Sequence, residues 1–177
     1  EIIKKNRGKN LFFSDNVQKE IESSNMIFLC VNTPTKMQGI GAGKASDLKW
    51  LEICANEIST YAKNNTIVVE KSTVPVKTAE ILEEILSESK SGNNFSVLSN
   101  PEFLAEGTAI NDLLNPDRVL IGGKDKGSIE ILSKIYMHWV SPEKIIKTNI
   151  WSSELSKLSA NAFLAQRISS INSISAI

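Results

Sequence analysis

Short apolar runs alternate along the chain with segments in which apolar residues recur at every third or fourth position. The apolar runs occupy residues 11–13, 26–31, 66–69, 95–98 and 118–121, and they have the length and composition of buried strands. Helical periodicity marks residues 48–61, 76–86, 128–138 and 151–177. This alternation predicts an α/β fold with a largely parallel sheet and right-handed crossovers.

Neither end of the chain carries the signals of a complete domain. The first residue is Glu1 and not Met, and it opens a basic segment typical of a helix C-terminus that Gly8 closes. The helical pattern of residues 151–177 contains no Gly or Pro that would end it. We therefore expect this sequence to be part of a longer protein.

The composition is that of an ordinary globular domain, in which 41% of 177 residues are apolar and 20 basic residues balance 20 acidic ones. Zero net charge argues against nucleic-acid binding, and no apolar stretch approaches the roughly 20 residues that span a bilayer. Cys30 and Cys54 lie in core patterns without disulfide or zinc spacing, and His138 has no second ligand nearby. We therefore expect a cytoplasmic protein without metal, membrane or nucleic-acid partners.

Ligands of parallel sheets collect at the carboxyl ends of the strands, so the residues after each strand are functional candidates. The strand at 26–31 leads into Val31, Asn32, Thr33, Pro34 and Thr35. Their hydroxyl, amide and backbone N–H groups can line a nucleotide or phosphate, and a plain polar connection is the alternative. The glycines within 39–43 do not form the dinucleotide fingerprint, because no strand leads directly into them.

Ser72 and Thr73 follow the strand at 66–69. One of the two hydroxyls is expected to cap the next helix, because serine and threonine are preferred N-caps. The other then remains free to hold a ligand or a water at the same helix end.

Two carboxylates follow the strand at 95–98. Glu102 and Glu106 are four residues apart, so they share a face if the segment is helical. Such a pair suits general acid or base catalysis, and solvated surface glutamates are the alternative. Further on, the sequence predicts a turn in which Arg118 pairs with Asp117.

The last predicted helix carries Lys157 and Asn161, which project from one face because they are four residues apart. An ammonium group beside an amide can stabilise an oxyanion or exchange a proton. The alternative is a surface ion pair between Lys157 and Glu154.

Together these segments resemble the UDP-glucose 6-dehydrogenases of the UDP-glucose/GDP-mannose dehydrogenase family. The resemblance runs essentially from end to end and is carried by RGKNLFFS, VNTPTK, EKSTVPV, LSNPEFLAEGTAI, NPDRVLIGG, WSSELSKL and NAFLAQRISSINSISA. It implies a partial Rossmann-like, doubly wound sheet followed by a long connecting helix. Residues 1–148 would form the NAD-binding domain without its first βαβ unit, and residues 149–177 would begin the central helix that leads to the dimerisation and substrate domain.

The resemblance also implies a reaction and its participants. UDP-glucose would be oxidised to UDP-glucuronate by two hydride transfers to NAD, through a thiohemiacetal and a thioester on a cysteine outside this chain. Neither Cys30 nor Cys54 can replace that cysteine, so the chain alone is expected to be inactive. The enzyme would be a homo-oligomer based on a dimer, with a hexamer as one form of that assembly.

Roles are carried over residue by residue. Glu102 would aid thioester hydrolysis, Lys157 and Asn161 would stabilise the oxyanion, and Thr73 would lie between cofactor and substrate. The cofactor would contact Val31, Asn32, Thr33, Pro34, Thr35, Ser72, Thr73, Val74 and Glu106. The substrate would contact Glu102, Phe103, Leu104, Ala105, Glu106, Lys157 and Asn161.

Two alternatives remain open at this point. One is a sibling dehydrogenase specific for GDP-mannose or UDP-N-acetylmannosamine. The other is a catalytically inactive, truncated assembly module that pairs through the helix at 151–177, whose apolar stripe could form a dimer seam.

Overall fold

The computed structural model describes residues 1–88 and 92–176, so Ile177 of the predicted last helix lies outside the described residues. The strands are β1 (Met26–Leu29), β2 (Thr66–Glu70), β3 (Phe95–Ser99), β4 (Val119–Gly123) and β5 (Ile145–Thr148). The helices are α1 (Ile2–Asn6), α2 (Val17–Ser23), α3 (Lys49–Tyr61), α4 (Thr78–Ser87), α5 (Ala109–Leu114), α6 (Lys126–Tyr136) and α7 (Ile150–Ser175). Within these ranges, no helix is both long enough and apolar enough to cross a membrane.

The five strands form one sheet in the order β1-β2-β3-β4-β5. All neighbours are parallel except β3 and β4, which pair antiparallel through Leu98 with Gly123 and Ser99 with Gly122. A parallel return needs a crossover that packs on the sheet, and the short α5 between β3 and β4 buries none of its residues. The predicted α/β class with a largely parallel sheet is confirmed.

The core lies on both faces of the sheet, because alternate residues of a strand point to opposite sides. On β2, Val68 packs with Leu51 of α3 and Leu82 of α4. Its neighbours Ile67 and Val69 join the other cluster, which α6 completes through Ile129, Leu132 and Tyr136. Every residue of β2 is consequently buried, which explains its continuous apolar run.

Helix α7 packs its first turn directly against β4. A Cβ on Gly122 would lie 2.5 Å from the Cβ of Ser153 and 2.8 Å from the carbonyl oxygen of Asn149, so only glycine permits this approach. The Ser153 hydroxyl donates a hydrogen bond of 3.2 Å to the Ser99 carbonyl. These contacts hold the start of α7 across the carboxyl end of β3.

One predicted strand is wrong. Leu11 forms only an isolated bridge with Arg7, and Phe12 and Phe13 are 68% and 66% exposed. An apolar run of this length forms a strand only if another strand supplies its hydrogen bonds, and none of the five described strands pairs with it. Strand β5 and helices α2 and α5 were not predicted, because each is short and buries at most one residue.

Candidate functional site

A cleft of about 590 Å³ opens at the carboxyl ends of β2 and β3, between the loop that follows β3 and the middle of α7. Its lining includes Lys71, Glu102, Phe103, Arg118, Lys157 and Asn161. Six of the seven residues predicted to contact the substrate therefore line one cavity: Glu102, Phe103, Leu104, Ala105, Lys157 and Asn161. This position agrees with the general tendency of α/β sheets to bind ligands beyond the carboxyl ends of their strands.

An ion pair forms the centre of the cleft. Nζ of Lys157 lies 3.1 Å from Oε1 of Glu102, and the two side chains are 10% and 32% exposed. Oε2 of Glu102 accepts the Leu104 backbone N–H at 2.7 Å, which orients the carboxylate. Because Lys157 is buried and paired, its ammonium group is held in a defined place at the cleft.

The Phe103 ring contacts two cations. The Arg118 guanidinium lies 4.3 Å from the ring centroid, and Nζ of Lys157 lies 5.6 Å from it. Arg118 therefore stacks on Phe103. The predicted pairing of Arg118 with Asp117 is wrong, since no ion pair joins them in the described part of the chain.

Lys71 is a cleft residue that the sequence analysis missed. Its ammonium group donates to the Asn100 carbonyl at 3.2 Å. Burial lowers the pKa of Lys71 below its ordinary value; the charges of Cys30 and Glu102 oppose this shift, and that of Lys157 adds to it. Its place directly after β2, at the same sheet edge as the other candidates, was the signal that could have identified it.

Asn100 anchors the loop that carries Glu102. This asparagine is 1% exposed, and its side chain donates to the Leu120 carbonyl at 2.8 Å. Its amide oxygen accepts the Tyr136 hydroxyl at 2.6 Å. The loop therefore leaves β3 from a fixed point in the core.

The loops after β1 and β2 are joined by side-chain hydrogen bonds. The Ser72 hydroxyl donates to the Val31 carbonyl at 2.6 Å, and the Thr33 hydroxyl donates to the Thr73 carbonyl at 2.8 Å. Neither Ser72 nor Thr73 caps α4, which begins only at Thr78, so that prediction is wrong. Val74 is buried in the core.

The remaining predicted residues differ in exposure. Asn32, Pro34 and Thr35 are exposed on the loop after β1, beside the joined backbone. Leu104 and Ala105 line the cleft, whereas Glu106 is exposed and does not line it. The segment that contains Glu102 and Glu106 is not helical, so the two carboxylates do not share a helix face as expected.

Glu154 does not form the surface ion pair with Lys157 that was the alternative to a site role for this lysine, because Lys157 pairs with Glu102. Glu154 is 2% exposed, and its carboxylate accepts the backbone N–H groups of Lys77 and Ala79, each at 2.8 Å. Burial raises the pKa of Glu154, while the hydrogen bonds from Ala79 and Lys77 oppose the shift. The carboxylate of α7 thus caps α4, a contact that local sequence signals did not reveal.

Glu70 ends β2 and is 1% exposed. Neither of its carboxyl oxygens has a hydrogen-bond partner within the described ranges. Burial, with a further contribution from the charge of Glu154, raises the pKa of Glu70 to about 9. Glu70 is therefore a neutral acid at pH 7.

Replacing Glu70 with glutamine should weaken the fall of stability as the pH rises. Between the ordinary glutamate pKa of 4.5, which applies to the unfolded state, and the folded pKa of about 9, Glu70 is protonated in the folded state and ionised in the unfolded state. It therefore lowers the free energy of unfolding by up to about 1.4 kcal/mol per pH unit in this window. Denaturant titrations of the complete protein and its E70Q variant across the window measure the difference.

Because wild type and E70Q share every other titrating group, their difference isolates Glu70. Parallel curves of stability against pH for the two proteins would contradict a neutral, buried Glu70.

The family comparison and similar curated proteins indicate the same family of dehydrogenases. The model of the UDP-glucose/GDP-mannose dehydrogenase family, NAD binding domain, matches residues 1–140. The chain is 59% identical to UDP-glucose 6-dehydrogenase 4 of Oryza sativa subsp. japonica and to UDP-glucose 6-dehydrogenase 1 of Arabidopsis thaliana. Each match covers 100% of this chain and 38% of the relative, so the chain spans less than half the length of these curated relatives.

Solved structures show the same fold. A UDP-glucose dehydrogenase from the hyperthermophilic archaeon Pyrobaculum islandicum superimposes with a TM-score of 0.79 at 31% identity, over 92% of this chain and 37% of that one. A ternary complex of GDP-mannose dehydrogenase from Pseudomonas aeruginosa gives 0.80 at 28% identity, over 90% and 36%.

Proposed function

The chain belongs to the UDP-glucose/GDP-mannose dehydrogenase family, and from this premise we propose that the complete protein oxidises UDP-glucose to UDP-glucuronate with NAD. The names of its plant relatives support UDP-glucose as the substrate. The observation that carries the proposal for this chain is the Glu102–Lys157 pair in the cleft beyond the sheet. Lys157 supplies a fixed positive charge, and Glu102 supplies a carboxyl group that can exchange a proton, both beside one cavity.

The cleft residues suit the stabilisation of negative charge on a substrate oxygen. Lys157 donates from a buried, oriented ammonium group, and Asn161 lies one helical turn away on the same side of the cavity. During alcohol oxidation, negative charge develops on the oxygen as hydride leaves its carbon. Lys157 and Asn161 stabilise that charge, and the alcohol proton passes to water in the cleft.

Glu102 serves the final hydrolysis. The aldehyde carbon is captured by a cysteine thiolate outside this chain, the resulting thiohemiacetal is oxidised to a thioester, and water cleaves the carbon–sulfur bond. Glu102 accepts a proton from that water, because its carboxylate is oriented by the Leu104 N–H and balanced by Lys157. The proton on Glu102 then passes to the leaving sulfur, so the acid product is released and the cysteine thiol is regenerated.

The surface beside the ends of β1 and β2 suits a dinucleotide. Hydrogen bonds from Ser72 and Thr33 join the two loops, so the backbone there is ordered before a ligand binds. Asn32, Thr35 and Thr73 add amide and hydroxyl groups at the same edge. Bound NAD supplies the hydride acceptor for both oxidations.

The test is NADH formation by the complete protein with each of three candidate substrates. UDP-glucose should support turnover and yield two NADH per molecule, and an accompanying assay should detect UDP-glucuronate. Turnover only with GDP-mannose or UDP-N-acetylmannosamine would replace the proposal with a sibling activity. Absence of turnover with all three would overturn the dehydrogenase proposal.

We also propose that the protein is a cytoplasmic homo-oligomer based on a dimer. Large apolar side chains are exposed along the second half of α7, among them Phe163, Leu164, Ile168, Ile171 and Ile174. Such a stripe favours burial against another protein surface. Light scattering of the complete protein would test the assembly, and a monomer at all concentrations would contradict it.

A further inference from the structure

Helix α7 holds two different loops through two side chains on neighbouring turns. Glu154 binds the backbone at the start of α4, which follows the loop containing Thr73. Three residues later, Lys157 pairs with Glu102 in the loop after β3. Residues three apart on a helix lie on the same side, so both loops are held by one surface of α7.

The start of α4 depends on Glu154 for its hydrogen bonds. The first N–H groups of a helix have no acceptor within the helix, and the N-cap residue Lys77 has φ of 79° and forms no side-chain capping bond. The two carboxylate oxygens of Glu154 each accept one N–H, from Lys77 and Ala79. A buried negative charge at this end also interacts favourably with the helix dipole.

Glu70 is the neutral member of a pair of buried carboxyl groups, so the negative charge of the pair lies on Glu154. Its carboxyl group is as deeply buried as that of Glu154, and the two interact electrostatically. Glu70 has no hydrogen-bond donor to stabilise an ionised form in the described part of the chain, whereas Glu154 has two. The single negative charge of the pair therefore belongs on the residue that caps α4.

The support for Glu154 is itself rigid. Its neighbour Ser153 bonds to the Ser99 carbonyl and packs against Gly122 of β4. A shift of the α4 start relative to α7 would therefore break the two hydrogen bonds to Glu154, because the first turn of α7 cannot follow it. The sheet therefore fixes the position of α7, and α7 in turn fixes the position of both loops.

We infer that Glu154 is a positioning residue, which sets the distance between the Thr73 loop and the Lys157–Glu102 pair. It holds the cofactor side of the site against the helix that carries the substrate side. A small displacement of reacting groups can lower an enzymatic rate by about a hundredfold, so such alignment has measurable kinetic weight. This role rests on the proposed dehydrogenase function.

The matched variants are E154A, E154Q and N149A in the complete protein. Asn149 caps the same helix by accepting the Ser152 N–H at 2.8 Å. N149A therefore removes one capping bond but keeps the Ser153 and Gly122 contacts that hold this turn, and it keeps both bonds from Glu154 to α4. E154A removes both acceptors at α4. E154Q keeps the length of the side chain and one acceptor, so it should retain more activity than E154A and serves as the conservative variant.

Hydrogen exchange provides a readout that does not depend on catalysis. The amides of Lys77 and Ala79 should exchange faster in E154A than in wild type, with E154Q between them. In N149A these two amides should keep their protection, while the Ser152 amide loses its own. Unchanged exchange at Lys77 and Ala79 in E154A would overturn the inference.

Kinetics then separate alignment from simple stability. E154A should lower kcat for NADH formation by about tenfold or more, whereas N149A should stay within about twofold of wild type at temperatures where both are folded. If E154A fails to fold, E154Q is compared with N149A in the same way. Equal kcat values for the Glu154 variant and N149A would overturn the positioning role alone, whereas a wild type that forms no NADH would overturn the proposed function and this role with it.

Discussion

Replacing Lys157 with alanine in the complete protein should lower the rate of NADH formation from UDP-glucose by about a hundredfold or more. The ammonium group is held at the cleft by Glu102 and lies against the Phe103 ring, and in the proposed reaction its charge stabilises the substrate oxygen as this becomes negative. Alanine removes that charge and also leaves the Glu102 carboxylate without its partner. Steady-state measurement of kcat and kcat/KM with UDP-glucose and NAD gives the result.

Lys124→Ala is the matched control, because Lys124 forms a largely exposed ion pair with Glu83 of α4, and neither of these two residues lines the cleft. Exposed pairs contribute little, so K124A should retain wild-type kinetics. A K157A protein that is less stable but turns over at the wild-type rate would show that the Lys157–Glu102 pair is only structural.

Replacing Glu102 with glutamine should slow thioester hydrolysis by about a hundredfold, within the usual range for loss of a general base. Glutamine preserves the size of the side chain, and its carbonyl oxygen can still accept the Leu104 N–H that orients Glu102. The oxidations that precede hydrolysis should continue, so a covalent adduct should accumulate. Intact mass spectrometry of the complete protein after mixing with UDP-glucose and NAD would detect it.

Glu130→Gln provides the comparison, since Glu130 is an exposed residue of α6 that pairs with Lys147. E130Q should hydrolyse the thioester at the wild-type rate and show no accumulated adduct. If E102Q behaves in the same way, Glu102 is not the base for hydrolysis.

Much of the framework was predictable from the order of residues. The run at 66–69 became β2, whose burial on both faces explains why it lacks polar alternation. The periodic segments at 48–61, 76–86 and 128–138 became α3, α4 and α6 with small changes at their ends. These elements bury most of their apolar residues locally against the sheet, so their pattern is visible in a short window.

The errors share a cause. Residues 11–13 have a strand-like composition but no strand partner among the described residues, and a strand is stable only through hydrogen bonds to another segment. The capping of α4 was assigned to Ser72 or Thr73 because they are near in sequence, whereas the acceptor is Glu154 from α7. Arg118 was paired with Asp117 for the same reason, that the two are neighbours in sequence, whereas Arg118 stacks on Phe103.

The candidate site likewise contains residues that the sequence motifs identified and residues that only the structure identified. Motif resemblance selected Glu102, Lys157 and Asn161 before any geometry was known, and the cleft brings these three together. It did not select Lys71 or Glu70: their place at the carboxyl end of β2 was visible in the sequence, but their burial and their approach to other charges follow only from the packing. Glu106 belongs to the same motif as Glu102, yet it is exposed outside the cleft.

The sequence by itself determined the α/β class, the strands and helices with strong periodicity, and the family to which the motifs belong. Only the tertiary structure decided which charges meet: Lys157 with Glu102, and Glu154 with the start of α4. The physical reason is that periodicity records whether a residue faces the core or the solvent, whereas charge pairing depends on distances between segments far apart in the chain. Those distances are set by the packing of α7 on β3 and β4, where the lack of a side chain at Gly122 allows the close approach.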